Sequence, residues 1–184
     1  MPEILKRLEK VKENRLSSKK AATRKWADRP FLFTENRQPD SDYLILPVVS
    51  SERRKYIPVC YVTKDVIANA NAQMIPNANL YTFGVINSNV HNAWMRVVCG
   101  RMKSDYAYSA TIVYNNFPWC NPTPEQKAKI EKTAQAILDA RALYPDCSLA
   151  DLYDETTMPP ELRKAHQALS LIHISEPTRH SLIS

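Results

Sequence analysis

The chain has 184 residues, 44% hydrophobic and 24% charged, a length that suits one compact domain or one domain with appendages. No apolar run approaches the roughly 20 residues of a membrane span, and the opening Met1-Pro2-Glu3-Ile4-Leu5-Lys6-Arg7 lacks the apolar core of a signal peptide. A soluble, cytoplasmic protein with no membrane partner is expected. The formal net charge is +6, and residues 1–29 hold ten Lys/Arg against four acids, so this one segment carries the whole excess.

Residues 2–20 predict a helix, with Ile4, Leu5, Leu8, Val11 and then Arg15/Leu16 recurring at helical spacing opposite a charged face. Its basic stripe suits a phosphate backbone, because Lys and Arg displace condensed counterions; a solvated helix face is the other reading. Residues 21–41 read as a linker. Residues 43–49 and 56–62 are β-rich, and the polar stretch 50–55 between them predicts a hairpin with a basic tip. Residues 73–75 and 80–86 are shorter strand candidates.

Residues 89–99 predict a second helix, capped by Asn87, Ser88 or Asn89 and stopped by Gly100, with Val90, Trp94, Val97 and Val98 as its buried stripe. Residues 101–108 read as an extended polar and aromatic segment, and 109–114 as a strand. Thr123-Pro124-Glu125-Gln126 predicts a helix start, with an N-cap, proline at the first position and Gln three residues after the cap. That helix is expected to bury Ile130, Ala134, Ile137 and Leu138 and to end before Pro145. Ser148-Leu149-Ala150-Asp151 and Pro159-Pro160-Glu161 each start a further helix.

The run from Leu169 through Arg179 reads as a translated transposase adapter, so the native sequence is expected to stop near Leu169 or Ser170, interrupting the last helix. His173 and His180 are then expected to carry no function. Met1, opening straight into a helix, is equally readable as an internal methionine of a longer chain.

Several chemistries find no support. Cys60, Cys99, Cys120 and Cys147 stand far apart with no Cys-x-x-Cys pair, which argues for buried free thiols over a zinc site or disulfides. The two glycines, Gly84 and Gly100, are isolated, and a nucleotide or S-adenosylmethionine pocket usually needs a glycine-rich strand-to-helix turn. No cofactor, metal or catalytic residue is therefore assigned within this chain. His91, beside a helix cap, is expected to be structural. Asn116-Phe117-Pro118-Trp119 is similar to the Asn-Pro-Pro-aromatic motif of amino-methyltransferases, in which the aromatic ring stacks on a flipped base. Phe117 stands where the first proline belongs, and a packed turn is the better expectation.

Residues 100–108 are more informative. In an extended segment Arg101, Lys103, Asp105 and Ala107 project from one face. Lys donates to guanine O6 and N7, and Asp accepts from the cytosine amine, so the pair suits both partners of a G·C base pair. A surface ion pair is the competing reading.

Taken in order, Asn79 to Ile86, His91 to Arg96, Cys99 to Tyr106, Tyr108-Ser109 and Val113 to Trp119 resemble the target-recognition domain of MmeI-like DNA methyltransferases. Ser50 to Arg53 and Tyr56-Ile57-Pro58 fit the same domain. Leu138 to Arg141, Ser148 to Asp154 and Met158 to Leu162 resemble its C-terminal helical segment, so the likeness spans roughly residues 1–168.

The resemblance implies an α+β, strand-rich recognition domain (42–122). A basic helix and linker (1–41) precede it, a helical segment (123–168) follows, and 169–184 stand apart as adapter. It implies a double-stranded DNA partner and a methyltransferase domain of the same parent polypeptide, adenine-specific and using S-adenosylmethionine. It places base-reading side chains around Lys103, Asp105 and Ala107 and around Asn71 and Ala72. Arg101, Arg53 and Arg54 fall to DNA contact as well. Cys120-Asn121 departs from the family, which usually continues with Pro, and a changed turn is expected there.

Overall fold

The computed structural model of the chain describes residues 2–34 and 37–175, with side chains through residue 170. The elements in order are α1 (Pro2–Ser17), α2 (Ala21–Arg24), β1 (Tyr43–Pro47), β2 (Val49–Ser50), β3 (Cys60–Val62), β4 (Ala72–Pro76), α3 (Leu80–Asn87) and α4 (Asn89–Val98). There follow β5 (Gly100–Met102), β6 (Asp105–Ala107), a π-helical turn (Ala110–Tyr114), α5 (Pro124–Ala142), α6 (Leu149–Leu152) and α7 (Pro160–Ser175). The class is mixed α+β. The chain forms two units, Met1–Gln38 and Pro39–Ser184.

In the first unit α1 forms where predicted, but it buries none of its residues; Ile4 is 60% and Leu5 64% exposed. The segment expected as linker is ordered around one side chain. Arg15 donates from Nη1 to the carbonyls of Trp26 (2.8 Å) and Arg29 (2.7 Å) and from Nη2 to Leu32 (2.7 Å). Arg24 donates likewise to the Ser18 carbonyl at 2.7 Å. A guanidinium presents five donors in a fixed fork, which suits it to gathering several carbonyls at once. Arg15 is thus half-buried, whereas the other basic residues described in this unit are exposed.

In the second unit β1 is the centre of an antiparallel sheet ordered β3-β1-β4. Tyr43, Leu44 and Leu46 are buried, so the strand is covered on both faces and reads as a continuous apolar run rather than an alternating one. The predicted 43–49/56–62 hairpin is only half realised. Tyr43 pairs with Val62 and Ile45 with Cys60, but residues 51–59 are irregular, with Tyr56, Ile57 and Val59 turned into the core. At Pro47, which has no N–H to continue a ladder, the chain leaves one sheet for the other. Val48 accepts from Tyr108 N at 2.7 Å and donates to Asn71 O at 2.9 Å. β2 then joins the second sheet, β2-β6-β5, also antiparallel.

Two predicted strands are helical instead. Residues 80–86 form α3, because Asn79 caps it by accepting from Thr82 N and because Phe83 and Ile86 are fully buried. Burial of such side chains, about 1.5–3 kcal/mol each, outweighs their preference for strands. Within the predicted strand 109–114, residues 110–114 form the π-turn, whose open carbonyls at Thr111 and Ile112 are taken by the Asn116 amide at 2.8 and 3.1 Å.

α4 is capped by Ser88, which accepts from His91 N, but of its predicted stripe only Trp94 and Val98 pack, half-buried, against the core. Val90 is 42% and Val97 83% exposed, while His91, Asn92 and Met95 are buried. Asn92 decides the rotation. It accepts from Ile57 N at 3.0 Å and donates to the carbonyls of Ile86 (3.2 Å) and Ser88 (2.8 Å), satisfying backbone groups that would otherwise be buried unpaired. Gly100 is no helix cap either; Cys99 ends α4 in extended conformation and Gly100 opens β5.

The C-terminal helices start where predicted. Thr123 and Gln126 form a capping box with Pro124 at the first position, and Ser148 and Asp151 form another. α5 packs Ile130, Ala134 and Ile137 into the core. Arg141 at its end donates to Val59 O at 2.7 Å and to the Tyr153 hydroxyl, whose other neighbour is His166 Nε2 at 2.8 Å. α7 continues to Ser175, and Leu169 (0% exposed) and Ser170 (4%) are buried in it. Residues 176–184 of the expected adapter tail, His180 included, lie outside the described residues, as does the side chain of His173. Cys60 and Cys99 are half-buried, but Cys120 and Cys147 are exposed, contrary to the expected burial of the thiols. Among the described residues no helix is long and apolar enough to cross a membrane.

Candidate nucleic-acid interface

The segment expected to run extended through residues 101–108 is a tight hairpin. Met102 pairs with Asp105, Arg101 with Tyr106 and Gly100 with Ala107, leaving Lys103 and Ser104 as a two-residue loop. Lys103 has a φ of 57°. Positive φ at the first loop residue is the pattern of a type II′ turn, where glycine is favoured. An L-residue there carries strain of about 1–2 kcal/mol.

The turn breaks the expected single face. Paired residues of an antiparallel ladder share a side, and neighbours along a strand alternate. Met102, Asp105, Gly100 and Ala107 therefore lie on one face, and Arg101 lies on the other with Tyr106. A Cβ built on Gly100 would meet Ala107 Cβ at 3.9 Å, as that arrangement requires. Lys103 is exposed at the tip between the two faces, and Asp105 and Ala107 are half-buried. Among the described residues Lys103 and Asp105 form no ion pair with each other.

Around this hairpin the fold gathers several of the predicted residues. Asp105 Oδ1 accepts from Glu52 N at 3.3 Å, tying the hairpin to the turn that carries Arg53 and Arg54. Residues 51–54, 104–105 and 154–156 line one open cavity of about 580 Å³. Arg53 is exposed and Arg54 half-buried. Asn71 and Ala72 are reached through the junction between the sheets. Asn71 O bonds Val48, Val48 bonds Tyr108, and Val49 pairs with Ala107. Asn71 and Tyr108 are thus both bonded to Val48, at the bend where the chain passes between the two sheets.

The side of the cavity that sequence reasoning missed is the loop after α6. Asp154 Oδ1 accepts from Thr156 N (2.9 Å) and Oγ1 (2.5 Å). These bonds, with Arg54 and Arg53 nearby, hold its carboxyl below the usual range. Glu155 is paired with Arg163 at 2.7 Å. Nothing in the local sequence marks these acids as neighbours of residues 51–54, some hundred positions away.

Beneath the hairpin lies a packed aromatic floor. His91 Nε2 stands 3.0 Å from the Tyr108 hydroxyl, and the His91 ring meets Phe117 edge-on at 4.7 Å. Burial lowers the His91 pKa to about 4, so the ring is neutral at pH 7. Phe117 also meets Trp119 at 5.2 Å and Trp94 at 6.3 Å. Asn116, with its amide on the π-turn carbonyls, and Phe117, buried, hold the 115–119 turn by packing. Gly84 is wedged against Ile130, and Gly100 is a paired strand residue; neither has a positive φ. These residues do not fit an S-adenosylmethionine cradle. Among the described residues no cluster of His, Cys, Asp and Glu is placed to hold a metal ion.

Known proteins resemble this chain over nearly its whole length. Residues 1–121 match the family model "MmeI, target recognition domain", and residues 122–171 match "MmeI, C-terminal domain". "DNA methyltransferase A" of Bacillus subtilis (strain 168) is 36% identical over 168 residues, covering 91% of this chain but 19% of that protein. A solved structure of the Type IIL restriction-modification enzyme MmeI in complex with DNA is 49% identical. It superposes with a TM-score of 0.88 over 94% of this chain and 23% of the other. The chain thus spans about a fifth of the length of these relatives. It belongs to the MmeI family, through the target recognition domain over residues 1–121 and the C-terminal domain over residues 122–171.

Proposed function

We propose that the chain is a sequence-specific duplex-DNA recognition module serving an adenine-specific methyltransferase domain of the same parent polypeptide, where S-adenosylmethionine would be bound. The observation that carries this reading is the Lys103 hairpin. It offers an exposed cation at a narrow tip and a carboxylate beside it, on a scaffold whose next layer is fully packed. Lys103 suits guanine O6 and N7, and Asp105, which keeps acceptor capacity beyond its bond to Glu52 N, suits the cytosine amine. Ala107, Asn71 and Ala72 extend the same reading surface. Arg53 and Arg54 suit phosphate oxygens or base edges. The basic first unit adds sequence-independent attraction to the backbone.

Selection from a randomised duplex library by the 184-residue chain tests this. Enrichment of one motif is expected, and the exchange Lys103→Glu with Asp105→Arg should change the preferred base at one position. Losing Lys103 alone should remove about 1–3 kcal/mol of discrimination there. An unchanged motif after the exchange would sink the site assignment, and no enrichment at all would sink the recognition reading. Methylation of DNA by the chain alone would point instead to catalysis at Asn116 to Trp119. Salt-insensitive binding of a protein or RNA, without duplex binding, would point to an interaction module.

A further inference from the structure

We infer that Arg101 is a positioning residue for the Lys103 tip and not a contact to DNA. The inference rests on the recognition reading for its consequence, but not for its geometry. Arg101 Nη1 donates to the carbonyl of Ser104, the second loop residue, at 2.7 Å. Its guanidinium carbon lies 4.1 Å from the centre of the Tyr106 ring, its cross-strand partner. Tyr106 is itself 9% exposed and pairs on its other side with Ser50, which is 2% exposed. Arg101 is thus anchored on a buried ring.

The loop it braces needs bracing. Lys103 occupies the left-handed region at φ 57° in a position that favours glycine. A two-residue loop makes Met102 and Asp105 the closing pair. Arg101 and Tyr106 are then the next pair, where antiparallel strands bring side chains closest. A planar guanidinium can stack on the ring and donate along its edge at once. A lysine ammonium can do one or the other, so the Arg-to-Lys change is not conservative here. Arg101 also lies on the face opposite Asp105 and Ala107, away from the proposed reading side.

The consequence is that Arg101 controls where Lys103 points, and hence one base preference, without contributing a phosphate contact. Two measurements on the full chain decide it, using Arg101→Lys and Arg101→Gln. In the free protein, amide hydrogen exchange at Asp105, whose residue closes the loop against Met102, is expected to quicken about three- to tenfold in both variants, each of which loses at least one of the two contacts. With a randomised duplex library, both variants should flatten the preference at the position Lys103 reads. On a fixed mixed-sequence duplex, the slope of log affinity against log salt should stay at the wild-type value in both. A phosphate contact gives the opposite pattern. Arg101→Lys would then match wild type in every readout, Arg101→Gln would lose about 0.9 from the slope, and the Asp105 amide would be unchanged; that result overturns the inference. If the wild-type chain enriches no sequence, the recognition reading fails, and the exchange rates alone still accept or reject the bracing role.

Discussion

Gly84 gives the most direct test of the packing of α3 on α5. It lies inside α3, where alanine is intrinsically better by about 1 kcal/mol. The structure reverses that preference. A Cβ at position 84 would stand 2.8 Å from Ile130 Cγ2, 3.1 Å from Ala134 Cβ and 3.4 Å from the Ile130 carbonyl oxygen on α5. Carbon atoms settle at about 3.5–4.0 Å, so the helices must part by several tenths of an ångström to about 1 Å. Cγ2 of a helical isoleucine cannot swing away, because one χ1 rotamer dominates. Overpacking of this kind costs about 1–3 kcal/mol. Gly84→Ala should therefore destabilise the 184-residue chain by about 1 kcal/mol net, lowering Tm by about 2–4 °C. Urea unfolding followed by circular dichroism reads this as a lower midpoint at unchanged slope. Ile130→Ala removes the obstructing methyl at its own expense of about 2–5 kcal/mol. In that background Gly84→Ala should be more favourable than in the wild type by about 1 kcal/mol, the 3.1 Å approach to Ala134 remaining. A stabilising Gly84→Ala in the wild-type background, or the same value in both backgrounds, would refute the close approach of α3 and α5.

The strained tip predicts a separation of stability from specificity. Lys103→Gly should raise stability by about 0.5–1 kcal/mol in a thermal melt, the relief of positive φ less the extra freedom of glycine in the unfolded chain. Lys103→Ala should give no such gain, and both should lose the base preference in library selection; equal gains from Gly and Ala would contradict the turn assignment. Acid should weaken the fold through the buried His91 and His166. Burial lowers His91 to about 4, and burial followed by the Arg141 charge lowers His166 to about 3, against an ordinary value of 6.5. Both are neutral when folded and gain protons on unfolding below pH 6.5, so their contribution is fully present above 6.5 and falls as pH drops. The loss approaches about 1.4 kcal/mol per pH unit for each histidine, until His91 titrates near 4 and His166 near 3. Urea midpoints measured from pH 7 to 5 check this, and a flat profile would refute it.

Much of the scaffold is legible in the sequence because its signals are local. Thr123-Pro124 with Gln126, and Ser148 with Asp151, announce helix starts by chemistry complete within four residues, and both form capping boxes. The stretches that mislead are those decided at a distance. Residues 80–86 look like a strand by composition, but they are flanked by a cap at Asn79 and received by Ile130 and Ala134 of α5. The face of α4 is misjudged in part because apolar periodicity takes no account of Asn92, whose burial follows from the backbone groups of Ile57, Ile86 and Ser88. The hairpin is hidden for a related reason. Its loop, Lys103-Ser104, carries none of the Asn-Gly or Asp-Gly chemistry that signals a two-residue turn. Residues 101–108 therefore read as one straight strand, which puts Arg101 on the wrong face. The Asp154 to Thr156 wall of the cavity has no sequence signal, since it depends on where the C-terminal helices dock.

That hidden turn also lets the proposed reading surface vary without loss of the fold. Buried Ser50, Tyr106, Tyr108, His91 and Phe117 lie in and around the hairpin's sheet, and truncation there removes packing or leaves polar groups unpaired. Lys103, Asn71 and Arg53 are exposed, and replacement at such positions generally changes stability by no more than about 0.5 kcal/mol. The freedom is not uniform along the surface, however. Position 103 must accept a positive φ, so Gly, Asn and Asp fit it better than β-branched residues. Position 105 supplies an acceptor to Glu52 N, so a residue without one releases the turn that carries Arg53 and Arg54. An exchange at 105 therefore acts twice, on the base edge we propose it reads and on the placement of two arginines. Its effects should not add to those of Arg53 or Arg54 substitutions, as interactions sharing a partner generally do not.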